Sequence, residues 1–132
     1  MPRFSAQSEE RLATCDERLQ RVMREVVKHF DCTVLEGHRG QAAQDEAFRT
    51  GRSKKQWPNG EHNKQPSMAV DVAPYPINWK DEKRFYYFAG YVMAVALSMD
   101  ITLRWGGDWD RDTDVRDQTF FDLVHFEIVE TG

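Results

Sequence analysis

The sequence predicts an α+β domain with a small, mostly antiparallel sheet packed with helices, on three observations. Residues 8–30 and 81–99 repeat apolar side chains every three or four positions, as helices with one buried face do. Four short apolar runs, at 32–36, 68–73, 101–104 and 123–129, have strand length and are punctuated by Gly, Pro or Asp. Their order along the chain is neither a regular βαβ alternation nor all-β. The 132 residues fit one domain, 1–132, and 40% apolar with 30% charged residues is a mixture from which a real core forms.

Taken in order, residues 8–30 place Leu12, Cys15, Leu19, Val22, Met23, Val26, Val27 and Phe30 on one stripe and read as one continuous helix. Ser8 is its expected N-cap, Glu9 and Glu10 complement the dipole of the first turn, and His29 is a favourable charge at the other end. The strand at 32–36 closes at Gly37, 38–40 is a turn, and 41–50 a brief helix. Residues 51–66 are rich in Gly, Pro, Asn and Lys, which is loop chemistry. The strand at 68–73 ends before Pro74 and Pro76. Residues 81–99 return to helical spacing at Phe85, Phe88, Ala89, Val92, Ala96 and Met99. After the strand at 101–104, Trp105-Gly106-Gly107-Asp108-Trp109 forms a turn, 108–117 an exposed aspartate-rich loop, and 123–129 the closing strand.

A net charge of −4 argues against nucleic acid as the main partner, because phosphate binding shows as a basic surplus. Arg49, Arg52, Lys54 and Lys55 form a local basic patch that reads first as solvated surface, with a binding role as the alternative. The N-terminal residues lack the apolar core of a secretory signal, and the apolar run 85–99 falls short of the ~20 residues that span a bilayer. The expectation is a chain that folds in a cytoplasm without membrane insertion, its two cysteines, Cys15 and Cys32, kept as thiols.

Two segments hold residues with chemical potential. In Met68-Ala69-Val70-Asp71-Val72-Ala73, Asp71 shares its strand face with Ala69 and Ala73, and these small neighbours leave room for a group to bind its carboxylate. An exposed edge aspartate is the alternative. In Asp122-Leu123-Val124-His125-Phe126-Glu127, His125 and Glu127 share one face, with Asp122 at the strand entrance. A core histidine satisfied by a carbonyl is the competing reading there. Two histidines and a carboxylate that converged, with a fourth position open, would form a catalytic zinc site.

His62 with Ala69-Val70-Asp71-Val72-Ala73-Pro74-Tyr75, Leu103-Arg104-Trp105-Gly106-Gly107-Asp108-Trp109 and Asp122-Leu123-Val124-His125-Phe126-Glu127 together resemble the zinc L-alanyl-D-glutamate peptidases, phage endolysins among them. That family is related to the D,D-carboxypeptidases and D-Ala-D-Ala dipeptidases, and the resemblance covers residues from about 35 to 127. It implies a hedgehog/D,D-peptidase-like fold, zinc (Zn²⁺) as cofactor, His62, Asp71 and His125 as its ligands, and Asp122 as general base. It further implies that Arg39, after the strand and Gly37, helps bind substrate or the developing oxyanion. The implied substrate is the peptidoglycan stem peptide, cut between L-Ala and D-Glu. The expected setting is a monomeric phage or prophage endolysin, held in the host cytoplasm until lysis and lacking a separate wall-binding domain.

Two departures from the family pattern stand out. Many relatives separate the first His and the Asp by seven residues and carry Ser two before the His; here the step is nine and Gly60 stands in that place. His38 is the reserve candidate for the first ligand. Glu127 either orients His125 or is a surface carboxylate, and Trp105 and Trp109 either pack the turn or wall the peptide cleft. The rival functions are a D,D-carboxypeptidase or dipeptidase and a non-catalytic zinc-binding module of the same fold. Asp108, Asp110, Asp112 and Asp114 alternate as ligands of a hard cation can, but the EF-hand glycine and terminal glutamate are missing, which favours a solvated loop.

Overall fold

Asp16 divides what the apolar spacing reads as one helix. In the computed structural model, which describes residues 2–130, α1 spans Ala6–Leu12 and α2 spans Glu17–His29; Met1, Thr131 and Gly132 of the expected domain lie outside the described residues. Ser5, rather than Ser8, caps α1, and the Asp16 carboxylate accepts from Arg18 N at 2.9 Å to cap α2. The chain between them is held to another part of the fold: Asp16 N donates to Ser67 O at 2.8 Å, and Ser67 N to Thr14 O at 2.9 Å. Cys15 therefore lies outside a helix, yet its thiol is buried in the core as expected, and Cys32 is likewise a buried free thiol.

The remaining elements follow the predicted order. They are β1 (Cys32–Glu36), α3 (Gln41–Arg49), β2 (Ala69–Pro74), α4 (Glu82–Ser98), β3 (Leu103–Gly106) and β4 (Asp122–Ile128). Pro74 closes β2 from within, and β3 runs two residues later than expected, taking Trp105 and Gly106 out of the predicted turn. The four strands form one antiparallel sheet in the order β1-β2-β4-β3.

The sheet has two chemically different faces. Val34, Val70, Val72 and Phe126 join the α2 stripe (Leu19, Val22, Met23, Val26, Val27) and the α4 stripe (Phe88, Ala89, Val92, Ala96) in one core, while Phe85 is buried against Trp79. Burying each of these large side chains stabilises the fold by roughly 1.5–3 kcal/mol before entropy is charged against it. The other face carries Ala69, Asp71, Ala73, His125 and Glu127. Edge strand β1 is covered by α1: Ser8 Oγ accepts from Val34 N at 3.1 Å, and Arg11 Nη1 donates to Val34 O at 3.0 Å. Among the described residues, no helix is long and apolar enough to cross a membrane.

Candidate metal centre

Strand register brings together residues 54 positions apart, since Asp71 of β2 pairs directly with His125 of β4. Pairing of alternate-face residues puts both side chains on the polar face of the sheet. His62 arrives from a 3₁₀ turn at Glu61–Asn63 in the loop before β2. His62 Nε2 lies 3.0 Å and His125 Nδ1 3.4 Å from the same carboxylate oxygen, Asp71 Oδ1. The three donor atoms lie within 4.8 Å of one another and all three residues are buried.

The outward nitrogen of each imidazole is tied down. His62 Nδ1 donates to Gly37 O at 2.7 Å, and His125 Nε2 donates to Glu127 Oε1 at 2.7 Å. Glu127 is in turn paired with Arg104 at 3.3 Å. These bonds select the tautomers that turn His62 Nε2 and His125 Nδ1 toward Asp71, the arrangement of carboxylate- and carbonyl-supported metal histidines. Glu127 thus takes the orienting role of its two readings. Replacing it with glutamine is expected to weaken metal affinity about 10- to 100-fold; a titration against a competing chelator measures this.

The charges are arranged for a cation. Burial by itself would lower the proton affinity of His125, but hydrogen bonds to Asp71 and Glu127 and the charges of Asp71 and Asp122 outweigh it and raise the pKa to about 10. Burial would likewise raise Asp71, yet the two histidines hold its carboxyl well below the usual carboxylate range. A metal ion held by these residues would satisfy the same anionic centre in place of the His125 proton. Two imidazole nitrogens and one carboxylate oxygen, desolvated and already convergent, fit a divalent ion.

Asp122 stands at the first position of β4 and lines the adjoining cleft of about 260 Å³. Close approach of β3 puts it there: a side chain at Gly106 would collide with the Asp122 carbonyl, so only glycine fits. Burial and the Asp71 charge push the Asp122 carboxyl up to about 6, against the opposing charges of His125, His62 and Arg39. Arg39 borders the same cleft but is anchored. Its Nη2 meets Glu36 Oε1 at 2.6 Å, its Nη1 donates to Gln44 Oε1 at 3.0 Å, and Nη2 lies 3.7 Å from Asp71 Oδ2.

Of the two tryptophans, Trp105 is buried in the core and donates to Leu123 O, whereas Trp109 lines the cleft, its ring centroid 5.3 Å from that of His125. Of the two candidate histidines, the fold brings His62 and not His38 into the donor group. His38 lies in a separate depression beside Thr14, away from the donor cluster. The nine-residue step and Gly60 are accommodated together: Asn63 Oδ1 accepts from Gly60 N at 2.9 Å, and a Cβ at Gly60 would come within 2.8 Å of that oxygen. Asp108, Asp110 and Asp112 also approach one another, but they spend oxygens on the loop's own N–H groups at Asp112, Thr113 and Asp114.

Sequence reasoning missed Gln44, which is 1% exposed. Its oxygen accepts from Arg39 Nη1 and Asn63 Nδ2, and its nitrogen donates to Ser53 Oγ at 3.0 Å and Lys55 O at 2.6 Å. One buried amide thereby joins α3, the loop at 52–55 and the turn that carries His62. Its only sequence signal is its position three before Ala47, on the inner face of α3.

The chain is similar to known proteins in sequence and in fold. The family described as phage L-alanyl-D-glutamate peptidase matches residues 1–129. The L-alanyl-D-glutamate peptidase of Escherichia phage T5 is 29% identical over 135 aligned positions, covering 96% of this chain and 98% of that protein. The crystal structure of the Serratia marcescens L-Ala D-Glu endopeptidase ChiX superposes with a TM-score of 0.74 at 28% identity, over 97% of this chain and 91% of that one.

Proposed function

Because the chain belongs to the phage L-alanyl-D-glutamate peptidase family, we propose that it cuts the peptidoglycan stem peptide between L-Ala and D-Glu using a zinc ion held by His62, Asp71 and His125. The chain is a peptidase, as the family and both relatives are. One observation carries the zinc reading: a nitrogen, a carboxylate oxygen and a second nitrogen converge within 4.8 Å, each imidazole oriented by a bond on its far side. This is the ligand set of catalytic zinc, with a fourth position left for substrate and water.

Bound there, zinc supplies Lewis-acid polarisation of the peptide carbonyl and lowers the pKa of a water toward ~7. Asp122 takes the proton of the attacking water and returns it to the leaving amine. Among the described residues, no hydrogen bond engages its carboxylate, which leaves both oxygens open for that exchange. Arg39 contributes a fixed positive field near the oxygen on which charge develops, its guanidinium held still by Glu36 and Gln44. Trp109 walls the cleft beside His125 and keeps bulk water from one side of the reacting centre.

The cellular setting that suits this chemistry is a phage or prophage endolysin, monomeric, held in the host cytoplasm and acting on the wall after release. A non-catalytic zinc module is disfavoured because a structural site is normally closed by a fourth protein ligand, and among the described residues the group has three. Mass spectrometry of purified sacculi incubated with the protein, with and without a chelator, tests the reading. Chelator-sensitive release of peptides beginning at D-Glu is expected. Fragments beginning or ending at D-Ala would move the enzyme to the D,D-peptidase branch, and intact sacculi after exposure to zinc-loaded protein would sink the peptidase reading.

A further inference from the structure

The cleft beside the metal ligands carries positive charge that the hydrolytic step does not use. Arg52, Lys54 and Lys55 line it. Neighbouring cations are neutralised, Arg49 by Glu46 and Lys64 by Glu61, and Arg39 is bound to Glu36. Among the described residues, Arg52, Lys54 and Lys55 have no such carboxylate; Arg52 donates to Thr50 Oγ1, and Lys54 sits over an aromatic ring.

The backbone of the loop that carries these charges is anchored. Gln44 bonds Ser53 Oγ and Lys55 O, on either side of Lys54, and ties this loop to Arg39 and Asn63. Phe120 lines the same cleft, and its ring centroid lies 4.9 Å from Lys54 Nζ. Phe120 stacks on Trp109 with centroids 6.1 Å apart, and Trp109 tilts over His125 at 5.3 Å. An unbroken aromatic wall therefore runs from a metal ligand to an ammonium group. Such a wall removes water from one side of the lysine and strengthens its attraction for an anion.

The substrate provides the anion. A glutamate within a linear peptide uses one of its two carboxyl groups for the next bond, and the other remains ionised a few bonds from its own nitrogen. Cleavage on the amino side of that glutamate makes this nitrogen the leaving group, so the free carboxylate lies close to the scissile bond. Asp122, which lines the metal end of the same cleft, repels it from that side. Resting on the L-Ala–D-Glu reading above, we infer that Lys54 is a specificity-determining residue, binding the free carboxylate of the glutamate on the leaving side, with Arg52 and Lys55 adding to its field.

The test compares two synthetic stem peptides, one with this carboxylate free and one with it converted to the primary amide, using the zinc-loaded full chain. The wild type is expected to prefer the free acid at least about tenfold in kcat/KM, mostly through KM, the scale of one hydrogen bond between charged groups. Lys54→Gln removes most of this preference by raising KM for the free acid, and Lys54→Arg restores it. Zinc content equal to that of the wild type identifies the variants as folded. Equal cleavage of the two peptides by the wild type, or an undiminished preference in Lys54→Gln, overturns the assignment while leaving the peptidase reading intact. Failure to cut either peptide overturns the L-Ala–D-Glu reaction itself, and this assignment with it.

Discussion

Changing Asp122 to asparagine is expected to lower kcat about a thousandfold and to leave the bound metal in place, the magnitude of a lost general base. Asparagine keeps the size and shape of the side chain, and Asp122 lies outside the donor group of His62, Asp71 and His125. Metal analysis and stem-peptide kinetics on the same preparation decide the point. Loss of metal from Asp122→Asn would make Asp122 a ligand and overturn the division of roles.

The same substitution has a pH signature. As a base, Asp122 acts when ionised, so kcat/KM of the wild type rises with pH through a limb at or below the about 6 to which burial and Asp71 push its carboxyl; a bound cation opposes the Asp71 contribution and moves the limb down. The limb disappears in Asp122→Asn. In the chelated protein the stability effect has the opposite sense. The folded-state pKa lies above the ordinary 3.8, so the native state binds the extra proton between these values, and the stability this contributes is complete below 3.8 and lost as pH rises through about 6. Chelated Asp122→Asn is therefore expected to be more stable than chelated wild type at pH 8, by on the order of 2 kcal/mol, and to lose this advantage near pH 4. Calorimetry at the two pH values measures both.

Replacing His125 with alanine is expected to abolish metal retention and activity together. The loss of Lewis-acid chemistry alone is worth several kcal/mol, about 10³-fold or more in rate. The variant also leaves Asp71 buried with one imidazole partner fewer, a change that costs on the order of 3 kcal/mol of stability for a broken buried charge pair. The informative measurement is thermal unfolding with and without added zinc. Zinc at a thousandfold above its dissociation constant stabilises the wild type by about 4 kcal/mol, an increase of roughly 10 °C or more in Tm. His125→Ala should show no such increase. Full zinc-dependent stabilisation in His125→Ala would remove it from the ligand set.

The α2 and α4 core faces, the four strands and the alternation that turns Val70, Val72 and Phe126 inward were legible in the sequence because each depends on a short period repeated locally. The break between α1 and α2 was not. Leu12, Cys15 and Leu19 keep helical spacing across it, and what interrupts the helix is the pairing of residues 14 and 16 with Ser67, some fifty residues away. The polar character of the 71/125/127 face was likewise readable by alternation, whereas the burial of Asp71 between two histidines was not.

For the site, the residue types and the family resemblance named His62, Asp71, His125 and Asp122, and these names came from the sequence alone. Their convergence is a matter of tertiary structure. The β2–β4 register sets Asp71 beside His125, the Gly37 carbonyl fixes the nitrogen that His62 presents, and Glu127 does the same for His125. Gln44 gave almost no signal, since it is a polar residue on a short mixed helix; the basic patch at 49–55 was visible, but a run of cations looks the same in sequence whether it faces a cleft or open solvent. Periodicity reports which face of an element is apolar; which polar groups meet across elements depends on register and loop anchoring, and those bonds exist only once the sheet has paired.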